Sequence, residues 1–277
     1  MATPEISFTP AAGLALDALA DLFTRSFEAY FYPGITSTHT LARRVATEQI
    51  DLLRSPVLRV DGEPAGVALL ARRGERAWCG GFGVTTPFRG RGLAHRLAAA
   101  LLDEAREAGA ERLTLEALTR NTAALKVYER AGLRIVRRLL IVSWRPDDGW
   151  AELGADTLEE RDPAELVLGR YLALHPVPAA WQREPPALLS LPELRGLALH
   201  ENGAVIAYAL LQGEESARLQ DFAARDEPAA RRLIAALQAR FQGITSVNEP
   251  AESPLTPAFL RSGFVVADEQ HELMIDL

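Results

Sequence analysis

From residue 81 to residue 132 the chain reads GFGVTTPFRGRGLAHRLAAALLDEAREAGAERLTLEALTRNTAALKVYERAG, and few folds accommodate that order. Phe82-Gly83-Val84-Thr85-Thr86 suits a strand end, Pro87 stops it, and Arg89-Gly90-Arg91-Gly92-Leu93-Ala94 follows at once. From Leu93 the apolar residues recur at helical spacing (Leu93, Leu97, Ala100, Leu101, Ala105), with Arg96, Asp103, Glu104 and Arg106 on the other side. Small residues therefore fall where a long helix begins. A helix N-terminus has free N–H groups and the positive end of the dipole, and glycine lets an anion approach the backbone. The stretch reads as an anion site built mainly from main chain, with Arg89 and Arg91 adding charge. Taken alone, the same glycines also read as a plain turn.

The second half narrows the choice. Asn121, Ala124 and Tyr128 stand at i, i+3 and i+7, on one helix face. Gly132 then ends that helix as a left-handed cap, and Leu133 opens another strand. With both halves in view, the chain resembles the GNAT N-acetyltransferase superfamily. Its cofactor loop, Arg/Gln-x-x-Gly-x-Gly/Ala, is matched by Arg89, Gly92 and Ala94. Its later motif, Asn-x-x-Ala-x-x-x-Tyr-x-x-x-Gly, is matched by Asn121, Ala124, Tyr128 and Gly132. The match spans residues 59–144.

The resemblance implies acetyl-CoA as co-substrate and an acetyl group passed to a primary amine of a small molecule or peptide, by direct attack in a ternary complex. It implies that backbone N–H groups from Arg89 through Gly90, Arg91, Gly92 and Leu93 to Ala94 hold the diphosphate. Phe82, Gly83 and Val84 take the positions where the family's strand pairs with the pantetheine arm, and Asn121 one that bonds pantetheine or a nearby carbonyl. As a residue type, Asn121 also suits a helix N-cap. Tyr128 stands at the general-acid position; a phenol of pKa about 10 is protonated at neutral pH. The other reading of Tyr128 is a packing residue whose hydroxyl orients the cofactor. For the general base, Glu116 is the candidate by resemblance, with Glu28, a water chain and the carboxylate of Leu277 beside it. The segment after the first helix covers the acceptor site in the family. Here it carries Phe27, Glu28, Tyr30, Phe31 and Tyr32 ahead of Pro33-Gly34, so Glu28, Tyr30 and Tyr32 are candidate substrate residues. Rings there equally suit packing between helices.

Composition limits the alternatives. A net charge of −7 disfavours a nucleic-acid partner, and the single cysteine, Cys79, excludes an internal disulfide. Cys79 itself reads as a core residue. Five histidines without HxxH or HExxH spacing predict no metal centre. No apolar run reaches membrane-span length, and the first ten residues lack the form of a signal peptide, so a cytoplasmic enzyme is expected, with no membrane partner. Monomer and homodimer both stay open. Neither GxxxxGK[ST] nor GxGxxG occurs, which weakens an unrelated nucleotide-binding fold.

In chain order, the pattern predicts an edge strand at 5–9, helices at 14–27 and 40–53, and a hairpin over 57–71 turning at Asp61-Gly62-Glu63-Pro64. Strands follow at 77–86, 112–118 and 133–144, the last closing the first half. Residues 144–150 read as a linker. Beyond it come a hairpin turning at Asn202-Gly203, a strand at 217–223, a helix at 228–241, a strand at 244–247, a short helix at 257–262 and a strand pair or one long strand over 264–277. The second half lies on the first: Arg232-Leu233 parallels Arg96-Leu97, Phe259 parallels Tyr128, and Arg225-Asp226-Glu227-Pro228 falls opposite Arg89-Gly90-Arg91-Gly92. The expectation is an α/β (α+β) chain of two tandem GNAT-like domains, 1–145 and 146–277, each a mixed, mostly antiparallel twisted sheet flanked by helices. Asp226, Glu227 and Pro228 would repel or fail a pyrophosphate. The second copy is thus expected to have lost the cofactor and to shape or cover the acceptor site. The competing reading of the whole chain is a catalytically silent acetyl-CoA-binding module.

Overall fold

The computed structural model describes residues 4–28, 30–32, 34–146 and 156–277. Pro33 and residues 147–150 of the expected linker lie outside that set. The chain forms two compact units, Met1–Val136 with Glu272–Leu277, and Arg137–His271.

Unit 1 contains β1 (Ile6–Pro10), α1 (Leu16–Ser26), α2 (Thr38–Glu48), β2 (Pro56–Val60), β3 (Glu63–Arg73), β4 (Arg76–Val84), α3 (Leu93–Glu107), β5 (Arg112–Leu118) and α4 (Thr122–Arg130). Its strands lie in the order β1-β2-β3-β4-β5, antiparallel up to β4 and parallel between β4 and β5. The β2–β3 hairpin turns at Asp61 and Gly62, both at positive φ, the turn whose twist matches its strands. α2 stops short of the expected residue 53, because Gln49 takes a left-handed conformation at its end.

Helices cover both faces of this sheet. α3 buries Leu93, Leu97, Leu101, Leu102 and Ala105 in one core with Ala77, Cys79, Val84, Leu113, Leu115 and Tyr128. Each large side chain buried there is worth about 2 kcal/mol. α1 buries Leu19, Leu22 and Phe23 and packs on β3 and β4 on the other face. The run of glycines in β4 follows from that approach. A Cβ on Gly81 would stand 2.6 Å from the Phe23 ring, and one on Gly83 would stand 2.8 Å from the Ser26 carbonyl oxygen.

The strand expected to close the first half is divided differently. β6 runs Arg134–Trp144, but from Arg137 onward it belongs to unit 2, where Leu140, Val142 and Trp144 join the core. Beside β5 in unit 1 lie the last six residues instead, the end of β12 (Val265–Asp276) and Leu277. Leu273 is fully buried in the core of unit 1, the Leu277 N–H donates to the Glu111 carbonyl at 2.8 Å, and Asp276 pairs with Arg112 and Arg134. The compact units therefore do not coincide with 1–145 and 146–277. An apolar alternating strand carries no mark of which sheet edge it will pair with.

Unit 2 adds β7 (Glu159–Arg161), α5 (Pro163–Leu174), α6 (Pro185–Leu188), β8 (Arg195–Glu201), β9 (Ala204–Gln212), β10 (Ser216–Ala224), α7 (Glu227–Gln238), β11 (Gly243–Pro250) and α8 (Thr256–Arg261). Its order is β6-β11-β10-β9-β8-β7, with β10 and β11 parallel and β6–β11, β10–β9, β9–β8 and β8–β7 antiparallel. The β4–β5 and β10–β11 pairs are thus the same feature repeated.

Candidate active site

Residues 85–92 link β4 to α3, and the stretch 89–94, which the sequence reads as an anion site, runs from this segment into the first turn of the helix. Gly90 and Gly92 both hold φ near +75°, at 75° and 74°, and a Cβ on either would meet open space. Gly92 is the N-cap of α3 and no side chain caps the helix. Among the described residues, the amides of Gly90, Arg91, Gly92, Leu93 and Ala94 have no hydrogen-bond acceptor. Leu93 is buried and Ala94 half-buried, so the helix is rooted in the core while its N-terminus stays uncovered. These are the conditions under which a helix start takes up an oxyanion.

The two arginines do different work. Arg89 donates from Nε to the Val84 carbonyl at 2.8 Å and from Nη2 to the Ser26 carbonyl at 3.0 Å, so it ties the strand end and α1 to the turn. Arg91 is exposed, its guanidinium 5.5 Å from the Phe88 ring centroid.

β4 and β5 pair only at Arg76↔Arg112, Ala77↔Leu113 and Trp78↔Thr114. Beyond those residues they part, while β4 keeps its ladder with β3, through Phe82↔Ala68, Gly83↔Val67 and Val84↔Gly66. Phe82, Gly83 and Val84 therefore lie along a strand edge that faces a gap. A free edge of this kind can pair with an extended chain.

Tyr128 reaches that gap from α4. It is 6% exposed, and its ring meets Phe82 edge-on at 5.5 Å. Burial, with Cys79 and Tyr30 nearby, pushes the phenol well above its ordinary value. Among the described residues its hydroxyl has no hydrogen-bond partner. The group is a neutral donor with nothing among the described residues to bond. Asn121 caps α4, its Oδ1 accepting the Ala124 N–H at 3.2 Å. The capping use of this residue is realised.

Glu116 lies on the opposite face of β5 from Leu113, Leu115 and Ala117, and hence from Tyr128. Its Oε2 accepts the Trp78 indole N–H at 2.8 Å. Glu28 is exposed and accepts from the Thr86 hydroxyl at 3.3 Å, and with Thr24, Arg25, Gly34 and Ile35 it lines a cavity of about 360 Å³. Tyr30 packs edge-on against Phe27 and Phe31 at 5.4 and 5.6 Å. Tyr32 is 53% exposed, and the Arg120 guanidinium lies over both Phe31 and Tyr32, at 4.6 and 5.5 Å. Arg120 was not singled out in the sequence; its place just before Asn121, at the head of α4, is the signal that could have found it. Arg44 was missed as well, since only its position on α2 hints at a reach of 36 residues to Gly80.

One candidate takes another place. Leu277 is bonded to Glu111, just before β5 begins. The gap opens toward the far end of β5, about 23 Å away at about 3.3 Å per residue. The chain-terminal carboxylate is therefore no base for this site. Cys79 is buried, as expected of a core residue, and burial pushes its thiol up to about 12.

Unit 2 repeats the frame without the site. Phe222 and Phe259 pack at 4.7 Å, as Phe82 and Tyr128 do in unit 1. The ungapped alignment of Arg225-Asp226-Glu227-Pro228 with the anion turn needs correcting, however. Only Arg225 and Asp226 link β10 to α7, so the turn itself is missing. Asp226 is the N-cap of α7 and its carboxylate accepts the Ala229 N–H at 2.8 Å. Where β10 and β11 part, Arg183 stands between them, 5% exposed, paired with Glu249 at 2.6 Å and with Asp221 at 3.6 Å. Asp221 also holds His175 at 3.0 Å and Tyr208 at 2.9 Å.

Among the described residues no group of three or more His, Cys, Asp or Glu could hold a metal ion, and no helix is long and apolar enough to cross a membrane.

Residues 16–133 match the family model described as Acetyltransferase (GNAT) family. No curated protein matches the chain. Among solved structures the chain is similar to a GCN5-related N-acetyltransferase from Sphaerobacter thermophilus, with a TM-score of 0.68, 16% identity and 98% of each chain covered. It is similar to a putative acetyltransferase from Pyrococcus horikoshii, at a TM-score of 0.68 and 13% identity, over 98% of this chain and 89% of that one. It is also similar to a tandem GNAT protein from the clavulanic acid biosynthesis pathway, at 0.64 and 15%, over 98% of both chains. At these identities the likeness concerns the fold, and it extends over nearly the whole length. Residues 16–133 match the GNAT acetyltransferase family, and the fold shared with solved GNAT structures spans 98% of the chain.

Proposed function

We propose that the protein is an N-acetyltransferase that moves the acetyl group of acetyl-CoA to a primary amine of a small molecule or peptide, within a ternary complex. Unit 1 is the catalytic part in this reading, and unit 2 a degenerate copy that takes up no cofactor. One observation carries it. The uncapped start of α3, the open edge of β4 and the unpartnered hydroxyl of Tyr128 converge on one gap in the sheet.

The residues present fit the co-substrate: five bare amides and a dipole end suit a diphosphate, and an unpaired strand edge suits an extended arm. Acetyl-CoA, when bound, supplies an activated acetyl thioester. The amides of Gly90 to Ala94 hold its charge, Arg89 keeps their turn in place, and Phe82, Gly83 and Val84 offer backbone groups along the gap. Tyr128, neutral because it is buried, donates a proton to the leaving sulfur. Glu116, oriented by the Trp78 indole on the other face of the sheet, receives the proton of the incoming amine, directly or through water. Glu28, Tyr30 and Tyr32 line the approach of the acceptor.

The test is free-thiol release from acetyl-CoA across a panel of amines, beside calorimetric binding of CoA. Thiol release that depends on an amine supports the proposal. Binding without release from any amine favours the silent module, and no binding removes both.

A further inference from the structure

β4 does not run as a regular strand. Its pairing with β3 passes from Leu70↔Cys79 to Leu69↔Gly81, so Gly80 is an extra residue with no partner, a β-bulge. The bulge decides which side chains face the site. Ala77 and Cys79 belong to the core beneath α3. Strict alternation would then turn residues 81 and 83 toward that core and put Phe82 on the face of Trp78. With Gly80 inserted, Phe82 and Val84 join the core of α3 instead, and Phe82 meets Tyr128.

The extra residue is held at two points. The Trp78 ring lies so close that a Cβ on Gly80 would stand 2.5 Å from its Cζ3. Arg44 Nη2 of α2 donates to the Gly80 carbonyl at 2.7 Å. Pairing with β5 has already ended at Trp78, so that carbonyl needs a donor from elsewhere. The Arg44 side chain is only 27% exposed, with its guanidinium 5.4 Å from the Phe23 ring centroid. Glu48, one turn further on α2, fixes its direction by accepting from Nε at 3.2 Å and from Nη2 at 2.8 Å.

Resting on the acetyl-transfer reading, we infer that Arg44 is a positioning residue of this site. It locks the bulge at Gly80, and through the bulge it sets the open edge of β4 and the contact between Phe82 and Tyr128. It touches none of the reacting groups, so its effect belongs to turnover more than to cofactor affinity.

The test compares Arg44→Met, Arg44→Lys and Glu48→Gln with wild type, by steady-state kinetics and by amide hydrogen exchange of the segment 79–84. Arg44→Met should lower kcat about tenfold while KM for acetyl-CoA moves less than about threefold. Exchange across 79–84 should speed up about tenfold while that of α3 stays unchanged. Arg44→Lys, which keeps a donor for the Gly80 carbonyl, should restore kcat to within about threefold of wild type. A kcat for Arg44→Met within about twofold of wild type, or unaltered exchange across 79–84, overturns the inference. Should Arg44→Met fail to fold, Glu48→Gln decides by the same two readouts, because it loosens Arg44 without removing it. If wild type releases no thiol with any amine, the proposed function fails, and the exchange measurement alone still decides whether Arg44 holds the bulge.

Discussion

Replacing Tyr128 by Phe removes one oxygen and leaves the ring. The ring is what packs, edge-on against Phe82 at 5.5 Å in the core under α3. The hydroxyl has no hydrogen-bond partner among the described residues, so its loss orphans nothing in the protein. Removing a buried hydroxyl that bonds nothing spares its desolvation cost, so stability should hold or rise by about 1 kcal/mol. CoA affinity should likewise stay within about twofold, because the amides of Gly90 to Ala94 are untouched. Turnover should not be spared. Positioned general acids contribute about a hundredfold or more, and a hundredfold is about 2.7 kcal/mol of barrier. The assay is thiol release at saturating acetyl-CoA, with calorimetry for CoA and a melting curve for the fold. Turnover within about threefold of wild type, with unchanged binding and melting, refutes the acid role and leaves Tyr128 as packing.

Leu273→Ala should cost about 2 to 5 kcal/mol, since Leu273 is fully buried among α3 and β5 side chains, and bound CoA should partly restore the melting temperature. A loss below about 1 kcal/mol in a denaturant melt would show that the final strand is dispensable to unit 1. In unit 2, burial pulls His175 down, but the charge and hydrogen bond of Asp221 raise it on balance. Both ring nitrogens face acceptors, the Asp221 carboxylate and the Tyr171 carbonyl, as an imidazolium requires. A raised pKa contributes stability that is complete below the unfolded value of about 6.5 and is lost as pH climbs through the folded value. Melting temperature should therefore fall over that window in wild type and fall less in His175→Gln; parallel profiles would contradict the ion pair.

Much of the site was legible because it is local. Gly90, Gly92, Asn121, Tyr128 and Gly132 act through turn, cap and helix phase, which spacing fixes, and the two hairpin turns at Asp61-Gly62 and Asn202-Gly203 are of the same kind. What was not legible is what depends on distant partners. Leu273 alternates like any strand residue, and nothing beside it says that it pairs in unit 1 while residues 137–144 leave for unit 2. The ungapped alignment hid the missing anion turn of unit 2 because helix phase survives a shortened loop. Arg183 looks like a surface cation in sequence, and only Asp221 and Glu249, brought from two strands, make it a buried one. The anion-binding reading of Arg89 alone did not foresee the carbonyls of Val84 and Ser26, since a guanidinium serves either use.

Calorimetric titration of the full chain with CoA bears most directly on the central claim, that bare amides at the start of α3 form the chain's one diphosphate site. Saturable binding of one CoA per chain is expected, weakened when Gly90 and Gly92 are replaced by residues that cannot hold positive φ, and indifferent to Asp226→Ala. No heat, or two molecules bound per chain, would contradict it.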